Sequence, residues 1–168
     1  MKSVPLKIVV YALVTYTACQ ILEVTAIDSN GLGDHIDWQP WAKGLSLAKE
    51  TGKPLMLILH KSWCGACKSL KPKFEASKEI GELSSQFVMI NAKEGDEPEN
   101  DPKFNIDGGY VPRIFFLDSN GNVLSNVIHE GGNPTYKYFY SRPEGIVNSM
   151  KRALEIVKTD KKKINVEL

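Results

Sequence analysis

Trp63-Cys64-Gly65-Ala66-Cys67-Lys68 follows an apolar, strand-like run from Pro54 to His60 and opens a segment with helical patterning. Two thiols three positions apart at a helix start can open and close one disulfide. Cys64 would sit where unpaired backbone N–H groups and the helix dipole favour an anion, so its thiolate is stabilised and its pKa is expected to fall. Cys67, one helical turn later, is expected to be less exposed and placed to attack a mixed disulfide formed at Cys64. The implied chemistry is dithiol exchange, with both cysteines catalytic. The competing reading of a Cys-x-x-Cys is half of a zinc site. Zinc takes four ligands, and Cys19, His35, His60 and His129 are scattered at no ligand-like spacing, so no metal is expected. A purely structural bridge would close too short a loop to constrain the unfolded chain much.

The 168 residues carry a formal charge of +1, which fits one globular domain with an ordinary core and gives no hint of a nucleic-acid surface. Lys2 and Lys7 lead into an apolar stretch from Ile8 to Ala18, and Val24-Thr25-Ala26 supplies small residues for cleavage. Residues 1–26 thus read as a signal peptide. A membrane span needs about 20 apolar residues, and Gln20 and Glu23 cut this one short, so no membrane attachment is expected after cleavage. Removing Lys2 and Lys7 from 21 basic residues, and Glu23 from 20 acidic ones, leaves 19 of each. Cleavage also removes Cys19, leaving Cys64 and Cys67 in a compartment where disulfides persist. Asn133-Pro134-Thr135 is blocked as a glycan acceptor by its proline.

Along the chain, Ala42 to Lys49 reads as a short helix closed by Gly52, with Leu45 and Ala48 to Lys49 near its inner face. Strand Leu55 to His60 and the cysteine-bearing helix follow. Pro72 either kinks that helix or starts a new one. Phe87 to Asn91 is a second buried strand, and the acidic Lys93 to Lys103 run is a solvated loop with a helical turn. Gly108 to Pro112 turns into strand Arg113 to Asp118, and Ser119-Asn120-Gly121-Asn122 has hairpin chemistry returning into a strand from Val123 to Ile128. The last helix shows a capping-box pattern, Ser141 and Glu144 around Pro143, and an inward stripe of Ile146, Val147, Met150, Leu154 and Val157. Residues 159–168 read as a basic, disordered tail. This order allows parallel strands joined by crossovers plus an antiparallel pair, an α/β class.

Trp63 to Lys68, Pro72 eight residues past Cys64, and Val111-Pro112 before a strand together resemble the thioredoxin superfamily. The resemblance implies a thioredoxin-like α/β fold: one domain over 27–158, its central mixed sheet flanked by helices. It also implies that Val111-Pro112 is cis and faces the cysteine pair, its backbone pairing with an extended client peptide, with Trp63, Tyr110, Val111 and Pro112 shaping the client site. Gly33 to Ile36, His60 to Lys68, Asp107 to Arg113 and Gly132 to Tyr140 resemble one branch more closely, that of thioredoxin domain-containing protein twelve and the anterior-gradient proteins. That likeness implies a thiol-disulfide oxidoreductase acting on disulfide-bearing or dithiol clients in the endoplasmic reticulum lumen, with secretion as the second address. The alternative is a client-binding, chaperone-like module of the anterior-gradient kind with little turnover, and Cys67, as a resolving thiol that permits release, favours the enzyme. A monomer is expected. No bound cofactor is expected, and glutathione is the expected redox partner.

Two positions depart from the superfamily pattern. Six residues before the first cysteine, where thioredoxins and disulfide isomerases carry a buried acid that takes the second thiol's proton, this chain has Ile58. Glu94 or a water could take that proton, and His60 reads as a satisfied strand-end histidine. Between the cysteines, Ala66 stands where reducing thioredoxins have proline and isomerases histidine. The branch ends in a KDEL-like signal, of which Asn165-Val166-Glu167-Leu168 keeps the final Glu-Leu.

Overall fold

The structure, a computed structural model, describes residues 27–166. The expected signal peptide over 1–26, and Glu167 and Leu168, lie outside the described residues. Among the described residues the first helix is α1 (Trp41–Thr51), closed by Gly52 in the left-handed conformation at φ 66°, which glycine adopts without a Cβ penalty. Its buried residues are Gly44 and Ala48. Lys49, expected near the inner face, is exposed. Gly44 takes that place because a Cβ there would already lie 2.8 Å from Ile90.

Strand β1 (Leu55–Leu59) is five apolar residues, all buried, the signature of a strand covered on both faces. Helix α2 (Gly65–Glu75) follows and contains Pro72 without breaking. Ser77 then caps helix α3 (Lys78–Ser84), its hydroxyl accepting from Ile80 N. Strands β2 (Val88–Ala92) and β3 (Arg113–Leu117) complete a sheet of order β2-β1-β3. Leu57 lies opposite Ile90 in the parallel pair and Phe115 in the antiparallel one. The parallel pair needs a crossover, which α2 and α3 provide.

Alternation along the strands divides the core. Met56, Ile58, Met89, Ile114 and Phe116 share one apolar cluster with Leu70 and Phe74 of α2, Ile80 of α3, and Ile146 and Met150 of the final helix, α4 (Pro143–Val166). Leu55, Leu57, Leu59, Val88, Ile90 and Phe115 pack on the other face with Ala48 of α1, Phe104 and Tyr138. This is the expected α/β architecture: one domain, a mixed sheet flanked by helices.

Three further local expectations change. The strand expected over Val123–Ile128 is reduced to one bridge, Leu117 with Val123, and one bond from Leu124 N to Phe116 O at 2.8 Å. Asp118 fixes the turn by accepting from Asn120 N and Asn122 N. Ser125-Asn126 then turns the chain away, burying Val127 instead. Secondly, α4 begins at Pro143, so Ser141 lies one residue too early to be its cap; proline is well suited to the first helical position. Thirdly, residues 159–166, expected as disordered, continue α4. No glycine or proline follows Gly145, and lysines in a last turn oppose the negative end of the helix dipole.

Candidate redox site

Cys64 is the N-cap of α2, extended at φ −74° and ψ 120°, with its sulfur accepting from Cys67 N at 3.2 Å. This is the place of a Ser or Asp side chain in an ordinary cap, taken by a thiol. Both cysteines are free, Cys64 8% and Cys67 1% exposed. Burial, reinforced by the contact with Cys64, pushes the Cys67 thiol up to about 12, against smaller opposite pulls from the Lys61 backbone and Lys71. Cys67 therefore stays protonated at neutral pH.

The loop from β1 to α2 is tied to the segment after β2. Ser62 donates to Glu94 through both its hydroxyl and its N–H, the latter at 2.8 Å. Lys61 pairs with Glu99 and lies 5.8 Å from the Trp63 ring centroid. The Ser62 bonds pull the Glu94 carboxyl down to about 2. Both carboxylate oxygens of Glu94 are thus engaged by Ser62, and Glu94 acts as a tether of this loop. Trp63, between the tether and Cys64, is 69% exposed.

Val111-Pro112 is cis, and the Val111 carbonyl accepts from the Cys64 thiol at 3.6 Å. Pro112 is buried, while Val111 and Tyr110 are half-buried. Tyr110 donates to Asp107 at 2.6 Å and accepts from Tyr138 N at 3.0 Å. Its ring packs edge-on against exposed Tyr136 at 4.8 Å. Arg113, buried at the start of β3, donates to the carbonyls of Phe104 and Gly108 and lies within 6 Å of the Tyr110 and Phe115 rings. The segment 107–113 is thereby pinned beside the thiols. Sequence reasoning missed both anchors, Asp107 and Arg113. A second cis bond, Glu97-Pro98, also went unforeseen, because Glu-Pro in an acidic loop carries no mark of either isomer.

His60 is not the satisfied histidine expected. It is 3% exposed, its Nε2 lies 3.5 Å from Asn91 Oδ1, and its Nδ1 is buried without a partner among the described residues. Asn91 is itself held by Asn30 Nδ2 at 2.7 Å. Burial, followed by the nearby Lys71 charge, lowers the His60 pKa. Among the described residues no group of three His, Cys, Asp or Glu is placed to hold a metal ion.

Fold and thiol pair define a class, that of thioredoxin-like proteins, and residues 37–119 match the family described as thioredoxin-like. More particularly, the chain belongs with the anterior gradient proteins. Anterior gradient protein 3 of Mus musculus is 34% identical over 134 residues, 79% of each chain. Anterior gradient protein 2 homolog of Homo sapiens is 35% identical over 133 residues, 79% of this chain and 74% of that one. Among solved structures, a DsbH oxidoreductase superposes with a TM-score of 0.54 at 18% identity, covering 83% of this chain and 98% of that one. A thioredoxin from Thermus thermophilus does so with 0.51 at 18%, covering 71% and 88%. These two likenesses are of fold.

Proposed function

We propose that the protein is a thiol-disulfide oxidoreductase acting on client proteins of the secretory pathway. The observation that carries this reading is the asymmetry of the pair: Cys64 caps a helix and reaches the Val111 carbonyl, while Cys67 is buried and held protonated. As a reductase, Cys64 attacks a client disulfide, its sulfur forming a mixed disulfide as one client thiolate leaves. Cys67 then attacks Cys64, closing the intramolecular disulfide and releasing the second client thiol. Glutathione or another thiol reduces the pair again; run in reverse, the same steps oxidise a client dithiol. Trp63, next to Cys64 in the chain, and Val111, whose carbonyl meets the Cys64 thiol, shape the client site together with Tyr110 and Pro112. The protein acts as a monomer, without a bound cofactor, in the endoplasmic reticulum lumen, with secretion as the second address.

The test is exchange with trapping in cells. Cys64→Ser should abolish mixed disulfides, and Cys67→Ser should accumulate them, since nothing then displaces the client. Acid quench and thiol labelling should find both dithiol and disulfide forms of the unaltered protein. A pair that never changes state would end the enzymatic reading.

A further inference from the structure

If Cys67 resolves mixed disulfides, its proton must go somewhere as its sulfur attacks, and both carboxylate oxygens of Glu94 are engaged by Ser62. We propose that His60, through the free lone pair on Nδ1, takes the Cys67 proton during resolution and returns it in the reverse step. This inference rests on the exchange reading above.

The placement follows from strand alternation. Met56 and Ile58 face α2, in one cluster with Leu70 and Phe74, and His60 is next on that side. Cys67, Leu70 and Phe74 are the buried residues of α2, so the strand face ending in His60 and the helix face beginning at Cys67 look at one another. Lys71, one turn beyond Cys67, acts on the charge of both His60 and Cys67. Asn91, on the same face of β2 as Met89, fixes the tautomer. Its Oδ1 accepts from Asn30 Nδ2 and its Nδ2 donates to Asp28 O at 3.3 Å, so Oδ1 faces Nε2 as an acceptor and the ring proton resides there. Nδ1 is then the basic nitrogen, and it is the atom left without a partner among the described residues.

The charged groups around the ring set its range. Lys71 from α2 opposes a proton on His60, while Glu94 and Asp96 from the segment after β2 favour one, and burial outweighs them. The pKa therefore falls below the ordinary 6.5, and the imidazole is neutral at pH 7, ready to accept. No direct hydrogen bond joins Cys67 to Nδ1 among the described residues, so in the forward step the Cys67 S–H bond breaks, its proton passes to Nδ1 through one bridging water, and the sulfur's electron pair forms the bond to Cys64. The Cys64–client bond breaks, and the departing thiolate takes a proton from the imidazolium or from water. Electrons balance within the two sulfur pairs.

The reaction of the reduced protein with 5,5′-dithiobis(2-nitrobenzoate) separates the two steps, each releasing one coloured thiolate: attack by Cys64, then resolution by Cys67. His60→Gln should slow the second release roughly 10- to 100-fold at pH 7, the range of a lost proton acceptor, and leave the first within about twofold. The deficit should shrink with rising pH, as solvent base takes over. In the unaltered protein the second rate should hold down to pH 6.5 and fall below it, as Nδ1 becomes protonated. Nitrogen NMR of the imidazole, which needs no substitution, should find the neutral ring protonated at Nε2. An unchanged second phase in His60→Gln, or a neutral ring protonated at Nδ1, would overturn the role of His60 while leaving exchange intact. Absence of the first phase in the unaltered protein would instead overturn the exchange reading, and this proposal with it.

Discussion

At the scale of single residues, the two sulfurs differ by what surrounds them rather than by chemistry. A thiol at about 12 is thiolate in roughly one molecule in 10⁵ at pH 7, and the thiolate is the species that alkylates. Iodoacetamide at pH 7 should therefore modify Cys64 and spare Cys67, which mass spectrometry of tryptic peptides would show. Equal labelling would remove the assignment of roles. The same proton has a stability consequence. A buried thiol whose folded pKa is raised supports the native state below the unfolded thiol value of about 8.5 and loses that support as pH climbs toward about 12. The urea midpoint of the reduced protein should decline above pH 8.5, and less steeply in Cys67→Ser. Cys64 and Cys67 were legible from spacing alone, and Val111-Pro112 from a resemblance. His60 was misread, because a strand-end histidine looks the same in sequence whether or not its second nitrogen finds a partner. The one available signal was its parity with Ile58.

At the scale of elements, β1 to β3, α1 and α2 were readable because five-residue apolar runs, a closing glycine and a helix-opening cysteine pair state their type locally, whereas α3, capped by Ser77, was not foreseen. The losses came where a segment's fate depends on distant residues. Val123 to Ile128 has strand composition, yet Ser125-Asn126 turns it and Ile128 O is claimed by Ser149 and Arg152 of α4. The loop between β1 and α2 shows the same dependence, since its position is set by Glu94, 32 residues beyond Ser62. With its carboxyl at about 2, Glu94 favours the folded loop above the ordinary carboxylate pKa, and that contribution fades as pH falls toward 2. The Ser62 amide resonance should therefore titrate well below pH 4, and Glu94→Gln should abolish that titration. A Ser62 shift unchanged by the substitution would show that the tether is not formed. In α1, Gly44→Ala sets two magnitudes against each other. Alanine gains about 1 kcal/mol of helix propensity, but its Cβ would lie 2.8 Å from Ile90 Cδ1 and 3.2 Å from Ile90 Cγ1, and overpacking costs about 1 to 3 kcal/mol. Because Ile90 is itself buried between helix and sheet, net destabilisation of about 1 kcal/mol is expected, read from chemical denaturation.

At the scale of the whole molecule, the redox potential and the folding stability are one quantity seen twice. Reduced and oxidised, folded and unfolded forms make a closed cycle, so whatever shifts the potential of the folded pair shifts the stability gap between its dithiol and disulfide forms equally. For two electrons, 30 mV corresponds to about 1.4 kcal/mol. Ala66, exposed in the first turn of α2, brings no charge to the Cys64 thiolate, so the potential should lie between about −270 mV, typical of thioredoxin, and about −180 mV, typical of disulfide isomerase. Ala66→His places an imidazole two residues after the reactive cysteine, in the first turn of α2. Where that ring is protonated it favours the thiolate, hence the dithiol form, and makes the disulfide the stronger oxidant. A rise of about 30 mV is expected in glutathione buffers at pH 6, diminishing by pH 8 as the new histidine loses its proton. Denaturant melts should show the same 1.4 kcal/mol as a wider gap in favour of the reduced form. A potential that rises with no matching change in that gap would mean the substitution acts on the unfolded dithiol, and the account of Cys64 as the charge-bearing sulfur would have to be given up.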